Sequence, residues 1–255
     1  MMLVSMLWLG CAARSIPPEA LSEPPAWTTE SGMQTARLEL VDSLLSAGQP
    51  EAALHVIREM RQAGVQSTSL DVLQAEALRA IGLIEDAEAM LLTALKQQRR
   101  SPSIHNQLGI LYLDQHRLDE AIPCFEDAHR LAPDDAEYSN NLGFSLMSAG
   151  RPAEAVEVLR AALRSDATRL RVRNNLGFAL VADARPDEAY RVFRSSSPED
   201  EARYNLGVGL ELTGSLADAA DAYTAALAAN PDNARARAAL ERLALPSPAD
   251  DEDTP

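Results

Sequence analysis

Apolar residues recur along this chain at helical intervals, and the pattern itself repeats every 34 residues. The segment NNLGFSLMSAGRPAEA begins at Asn140, and the closely similar NNLGFALVADARPDEA begins at Asn174. In these units a Leu-Gly landmark is followed 12 residues later by an alanine, and a large apolar residue comes four residues after that. Each unit breaks near its middle, so the pattern predicts two helices joined by a tight turn.

Glycine and proline mark the expected turn between the first and second helix of a unit. Proline stands where a missing N–H costs least, in the first turn of the second helix. Because one helix pair cannot bury its own apolar face, successive pairs are expected to stack into a solenoid. Glycine lies in the predicted turn of four units, at Gly48, Gly82, Gly150 and Gly214.

The period divides the chain into six units with extensions at both ends. Val41 and Ala75 replace the landmark glycine in the first two units. After the units come a predicted capping helix over residues 234–245 and an acidic tail over 246–255, which is predicted to be disordered. The units are 34–67, 68–101, 102–135, 136–169, 170–199 and 200–233.

The fifth unit is shorter than the others, since only 30 residues separate Gly177 from Gly207. Its second helix is therefore expected to stop early, within the run SSSPEDE. We expect Ser197 to cap the next helix and Pro198 to open it. The solenoid is expected to bend at this point.

The third unit carries the positions by which a known repeat family is recognised. The spacing and the period resemble the tetratricopeptide (TPR) consensus. The resemblance implies an all-α fold, a right-handed superhelix of helix-turn-helix repeats, whose partners are proteins or extended peptide segments. The matching residues are Leu108, Gly109, Tyr112, Ala121, Phe125, Ala128 and Pro133.

One face of the first helices is predicted to line the inner curve of the superhelix as an exposed peptide-binding groove. An amide can donate and accept at once, so a ladder of asparagines could pair with a peptide backbone while apolar neighbours grip its side chains. Replacing these asparagines with alanine is then expected to weaken binding but hardly to change stability. The face comprises Asn106, Asn140, Asn174 and Tyr204, then Ile110, Phe144, Phe178 and Val208, then Leu113, Met147 and Val181.

Two points about this face stay open in the sequence. The adjacent Asn141, Asn175 and Asn205 could serve the groove, or they could belong only to the internal pattern of the repeat. Phe144 and Phe178 could bind a partner, or they could be partly buried between units.

The charge of the chain limits the kinds of partner. Lys and Arg number 23 against 38 Asp and Glu, which gives a formal net charge of −15. A polyanion would be repelled by such a protein, so nucleic-acid binding is not expected.

The N-terminal residues have the pattern of a processing segment. Residues 1–11 are almost wholly apolar and end in LWLGC, which resembles the lipobox of bacterial lipoproteins. That resemblance implies lipidation at Cys11, with residues 12–33 as a Pro-rich disordered tether. Ala12 in place of Asp then points to the periplasmic side of the outer membrane, and the lipid would be the only contact with the membrane. The alternative is an incidental cysteine in an apolar N-terminus.

The fifth and sixth units, together with Cys11, are similar to the TPR lipoproteins of the tight-adherence (Flp-type) pilus system, the TadD family. The resemblance implies a role in assembling a pilus or secretion apparatus. A pilotin-like lipoprotein of another secretin system and a soluble cytoplasmic TPR adaptor or co-chaperone stay open, as does, remotely, the non-catalytic arm of an enzyme. A chaperone carboxylate clamp would need Lys or Arg where Asn140 and Phe144 stand.

The sequence offers no arrangement typical of catalysis, so we expect a non-enzymatic protein without cofactor or metal. The stretch GVGLELTG fits no phosphate-loop spacing. Cys124 is expected to be a buried structural thiol rather than a nucleophile. The histidines lack the paired spacing of metal ligands; they are His55, His105, His116 and His129.

Overall fold

The computed structural model describes residues 29–165 and 170–244, and within these ranges the chain forms thirteen α-helices and no strand. The helices alternate as the first and second helix of each unit, and the last one stands alone. Their bounds are α1 Glu30–Ser46, α2 Pro50–Gln62, α3 Thr68–Ala80, α4 Ile84–Gln97, α5 Pro102–Asp114, α6 Leu118–Leu131, α7 Ala136–Ser148, α8 Pro152–Ser165, α9 Leu170–Ala182, α10 Pro186–Arg194, α11 Glu199–Leu212, α12 Leu216–Ala229 and α13 Ala234–Ala244.

The described helices form the all-α solenoid of stacked helix pairs that the repeat pattern predicts. Cys11, the rest of segment 1–11, most of the tether and the acidic tail lie outside the described residues. Residues 30–33 were expected to belong to the tether, but they form the first turn of α1. The reason is a local cap, since Thr29 Oγ1 accepts a hydrogen bond from the Gly32 N–H at 3.0 Å.

The landmark glycines set the distance between the two helices of a unit. A Cβ placed on Gly143 would lie 2.6 Å from Leu159 Cγ, and one on Gly109 would lie 2.6 Å from Phe125 Cε1. A real Cβ does not approach its neighbours so closely. The small residue on the first helix and the large one on the second therefore interlock as expected.

The turn between the helices uses a left-handed backbone residue in every unit. Gly150 has φ 70° and its counterparts Gly48, Gly82 and Gly214 are similar. In the third and fifth units the same conformation falls on His116, with φ 59°, and Ala184, with φ 57°. These are the non-glycine residues of positive φ in the described chain, and their backbone conformation is strained.

The short interval between Gly177 and Gly207 results from a short second helix, since α10 has nine residues and the equivalent α8 has 14. The next helix begins at Glu199 with Pro198 as its N-cap, so the expectation that Ser197 caps it and Pro198 opens it is wrong. No side chain caps α11; instead three acidic residues occupy its first turn, where the helix dipole favours negative charge.

Glu199 holds the junction between the fifth and sixth units together. Its carboxylate accepts hydrogen bonds from the Tyr190 hydroxyl at 2.6 Å and from Arg194 Nε at 2.9 Å. Arg203 Nε donates to the same carboxylate at 2.5 Å, and its guanidinium lies over the Tyr190 ring. The hydrogen bond from Tyr190 is the largest cause that lowers the pKa of Glu199, and the two arginines add to it.

The curvature of the solenoid follows from which helices touch. Successive first helices pack against each other from α1 to α11, whereas no comparably close packing joins successive second helices in the described ranges. The stack is therefore tighter along the first helices, which places them on the inner face.

None of the described helices has both the length and the apolar character needed to cross a bilayer.

Candidate peptide-binding groove

The inner face presents one central row of side chains, one from each first helix at the same point of the repeat. In the third to sixth units the row is apolar and consists of Ile110, Phe144, Phe178 and Val208. Phe144 is 46% exposed, while the other three are half-buried. Phe178 packs edge-on against Phe193, with ring centroids 5.3 Å apart. Phe144 is thus the row's most accessible apolar surface.

The asparagine row beside it is not exposed in the way its periodicity suggests. Asn106 is 3% exposed and Asn140 is 7% exposed. Asn141 Nδ2 donates to Asn106 Oδ1 at 2.9 Å, and Asn175 Nδ2 donates to Asn140 Oδ1 at 2.8 Å. The expectation of exposed ladder amides is therefore wrong for Asn106 and Asn140, because the next unit covers both and uses their oxygens.

The ladder stops at Asn174. This residue is half-buried, and its Oδ1 is buried without a hydrogen-bond partner among the described residues. By analogy with the earlier units the donor would be Asn205. The change coincides with the shortened α10, which alters how α11 packs on α9.

The partly accessible amides include the neighbouring positions. Asn141, Asn175 and Asn205, whose role the sequence leaves open between groove and scaffold, are half-buried, and so is Gln107 at the equivalent position of the third unit. Asn141 and Asn175 each use Nδ2 to bind the preceding unit, and neither Oδ1 accepts a hydrogen bond from a described residue. A 34-residue period gives the same spacing for both members of an Asn-Asn pair, so the sequence could not decide which faces outward.

The third row is only partly open. Leu113 and Met147 are half-buried, but Val181 is 4% exposed, so its assignment to an open groove is wrong. A Cβ on Gly209 would lie 2.9 Å from Val181 Cγ2. Since Gly209 has no side chain, α11 can approach α9 closely enough to cover Val181.

Tyr204 marks the C-terminal end of the groove. Its ring lies 5.7 Å from that of Tyr223, and the guanidinium of Arg235 on α13 lies over it at 4.8 Å. Arg235 also pairs with Glu201. The capping helix therefore covers one side of Tyr204, and the open part of the groove lies further towards the N-terminus.

The N-terminal end of the inner face is acidic. Asp42 and Glu76 hold the positions in α1 and α3 that Ile110 and Phe144 hold in later units. Burial raises the pKa of Glu76 above its ordinary value of 4.5; Arg79 lowers it, and the carboxylates of Asp42 and Glu137 raise it further. Positive charge would therefore be favoured at this end.

His105, His129 and Cys124 have structural surroundings. His105 Nε2 lies 3.1 Å from the Arg99 carbonyl oxygen, and His129 Nδ1 lies 3.0 Å from Ser139 Oγ. Cys124 is half-buried rather than fully buried as expected. Partial burial lowers the pKa of His129 and raises that of the Cys124 thiol to about 11. No group of three His, Cys, Asp or Glu suited to a metal ion is found in the described part of the chain.

Comparison with solved structures finds solenoids of the same type. YrrB, described as a TPR protein with an unusual peptide-binding site, is 22% identical and aligns with 72% of this chain and 96% of its own, at a TM-score of 0.55. PilF of Pseudomonas aeruginosa is 17% identical over 83% of this chain and 98% of its own, at 0.61. A TPR protein from Parabacteroides merdae is 13% identical over 82% of this chain and 98% of its own, at 0.50.

Sequence families give the same assignment. No curated protein matches the chain. Two tetratricopeptide repeat family profiles match it, one over residues 72–122 and 106–169 and the other over residues 146–206. These segments join into a continuous stretch of more than half of the 255 residues. The chain therefore belongs to the tetratricopeptide repeat family.

Proposed function

We propose that this TPR protein is a non-catalytic scaffold that binds an extended segment of a partner protein along the inner face of its first helices. TPR repeats are protein–protein interaction modules, and the peptide-binding site named for YrrB supports the same use here. The observation that carries the proposal is Phe144, a large aromatic residue 46% exposed at the middle of the concave face. Isolated apolar exposure is common, but this residue stands in a row of apolar side chains.

The groups beside Phe144 suit an extended peptide. Met147 lies one turn further along α7, and its flexible side chain can adapt to different apolar partners. The Oδ1 atoms of Asn141 and Asn175, which accept no hydrogen bond from a described residue, can accept from backbone N–H groups. Such contacts hold a backbone without reading its sequence, while Phe144 selects for an apolar side chain.

The test is a comparison of two truncations of exposed apolar residues. Phe144→Ala removes the most exposed aromatic side chain of the groove, whereas Leu92→Ala removes a comparably exposed side chain on α4, a second helix. With peptides selected from a random library on the wild-type protein, we expect Phe144→Ala to weaken binding about tenfold or more. Leu92→Ala should leave it within about twofold. Equal effects of the two variants would contradict binding in the groove.

We further propose that the scaffold is an outer-membrane lipoprotein that assists the assembly of a pilus or secretion apparatus. Gly10-Cys11 at the end of an apolar run and the resemblance to tight-adherence lipoproteins support this role. Cys11→Ser should release the protein from the membrane fraction and abolish incorporation of labelled palmitate. Absence of palmitate from the wild-type protein would refute the anchor. Pilus or secretion activity that is unchanged after deletion of the gene would refute the assembly role.

A further inference from the structure

The central row changes its chemistry along the solenoid. Read from α1 to α11, it is acidic in the first two units and apolar in the next four, with the aromatic pair in the middle. Because each residue of the row comes from the same repeat position of its first helix, the change from acidic to apolar runs along one line of the inner face. The row is Asp42, Glu76, Ile110, Phe144, Phe178 and Val208.

The acidic end of this row has an excess of negative charge. Asp42 and Glu137 are exposed, and both interact unfavourably with Glu76. The nearby cation is Arg79, and its Nη1 is already paired with Asp114 Oδ2 at 2.6 Å. Glu76 thus has two unfavourable carboxylate neighbours and one guanidinium that already pairs with a further carboxylate, in a protein whose formal net charge is −15.

Glu76 itself is the least compensated of these carboxylates. It is half-buried, and no hydrogen bond or ion pair joins it to another side chain in the described ranges. Burial takes water from the carboxylate without supplying a donor in return, which is the cause of its raised pKa. A cation placed here would meet a carboxylate that has already lost part of its hydration.

The spacing of the units fixes how far the acidic end lies from the aromatic residues. Packed helices lie about 8–10 Å apart, and an extended chain advances about 3.3 Å per residue. One unit therefore corresponds to about three peptide residues. Glu76 and Phe144 are two units apart in the row, a span of about six residues of an extended peptide.

We propose that the partner segment is an extended peptide carrying Lys or Arg against Asp42 and Glu76 and, about six residues away, a large apolar side chain against Phe144. This inference rests on the proposed peptide-binding function and adds the chemistry of the ligand. The row's polarity fixes which part of the peptide lies on which units, because exchanging the two parts would leave the carboxylates without a counter-charge and put an apolar residue among them.

The experiment selects peptides from a random display library on the wild-type protein at low salt. Sequencing should show Lys or Arg enriched about six residues from a large apolar residue. The same selection on a double variant, Asp42→Asn with Glu76→Gln, should lose the basic enrichment and keep the apolar one. Selection on Phe144→Ala should lose the apolar enrichment, and Leu92→Ala should reproduce the wild-type result.

Affinity measurements on one selected peptide make the test quantitative. Replacing its basic residue with Ala should weaken binding to the wild type about fivefold, and to the double variant less than about twofold. Raising the salt concentration should weaken only the wild-type interaction markedly. Circular dichroism checks that each variant is folded.

The outcomes separate the two proposals. Selected peptides that depend on Phe144 but show no basic enrichment would overturn the inference and leave groove binding intact. A selection that yields no peptide, or only peptides indifferent to Phe144→Ala, would overturn the groove function and the inference with it. Basic enrichment that survives in the double variant would show that Asp42 and Glu76 are not the recognising groups.

Discussion

Asn175 Nδ2 donates a hydrogen bond to Asn140 Oδ1 across 2.8 Å, and so joins the first helices of two successive units. Asn141 and Asn106 make the same contact one unit earlier, at 2.9 Å. In each case the buried asparagine accepts, through its Oδ1, a hydrogen bond from the half-buried asparagine of the next unit. These amides therefore fix the register between units, and their burial makes them part of the scaffold.

This pairing predicts a measurable coupling between neighbouring units. Asn140→Ala should destabilise the protein by about 1 kcal/mol or more, because it removes a buried acceptor and leaves its donor unmatched. In a double-mutant cycle with Asn175→Ala, the coupling free energy from urea unfolding should be about 0.5–1.5 kcal/mol.

Asn174 and Asn205 provide the matched control, since the Asn174 Oδ1 accepts no hydrogen bond from a described residue. The corresponding cycle on this pair should give a coupling close to zero. Equal coupling in the two cycles would contradict the assignment of the hydrogen bond as the link between units.

The periodicity of the sequence was enough to predict the solenoid and the interlocking of small and large residues. The period is set by Leu-Gly landmarks whose spacing reflects packing inside a unit, and Gly143 against Leu159 is a contact of that kind. Contacts within a unit repeat with the sequence, so they can be read from it.

Contacts between units were predicted less well, because they depend on how far one helix pair rotates on the next. Asn140 and Asn141 share the same period, and only the inter-unit geometry decides which is covered. The prediction that Val181 is open is wrong for a related reason. The short α10 and the missing side chain of Gly209 allow α11 to cover Val181, although its equivalent Met147 is only half-buried.

Overpacking at the helix–helix contact should be costly. Gly143→Leu would force a large side chain into space where even a Cβ would lie 2.6 Å from Leu159 Cγ. The expected loss in the free energy of unfolding is about 1–3 kcal/mol or more, measured by urea denaturation. Adding Leu159→Ala should recover part of the loss by making room. If the two substitutions are simply additive, Leu159 is not the obstructing group.

The strained turn of the fifth unit offers a stabilising substitution. Ala184 has φ 57°, a conformation that costs an L-residue about 1–2 kcal/mol and glycine almost nothing. Glycine loses more entropy on folding, which offsets part of this gain. The net effect of Ala184→Gly should therefore be a rise in the free energy of unfolding of about 0.5–1 kcal/mol.

Gly150→Ala is the reverse experiment at the equivalent turn, where φ is 70° and no atom beyond the two adjacent residues lies within 4 Å of the added Cβ. It should destabilise by about 1 kcal/mol from backbone strain alone. Thermal melts of the two variants should therefore shift in opposite directions, and shifts of the same sign would exclude backbone strain as the cause.

Cys124 should be a slow nucleophile. Burial raises the pKa of its thiol to about 11 from an ordinary 9.0, so at neutral pH its thiolate population is about 100-fold smaller than that of an unperturbed thiol. In a Cys11→Ser protein, where Cys124 is the remaining cysteine, iodoacetamide should react slowly until urea unfolds the chain. Fast labelling of the folded protein would contradict the structural role.

Glu76→Gln should stabilise the folded protein at neutral pH. Burial and the carboxylates of Asp42 and Glu137 raise the folded-state pKa of Glu76 above its ordinary 4.5, so the folded chain retains this proton to higher pH than the unfolded chain does. Stability of the wild type therefore falls as pH rises from about 4.5 through the folded pKa, and the penalty is fully present above that range. The isosteric amide of glutamine carries no charge, so Glu76→Gln avoids this loss of stability.

The melting temperature of Glu76→Gln should accordingly exceed that of the wild type at pH 7, and the difference should shrink as the pH falls towards 4.5. Glu39→Gln, at an exposed position of α1, should change stability by less than about 0.5 kcal/mol. A destabilised Glu76→Gln would mean that the carboxylate has a partner within the fold. A stabilised variant that has lost affinity for basic peptides would separate binding from folding, because unfolding could not then explain the lost affinity.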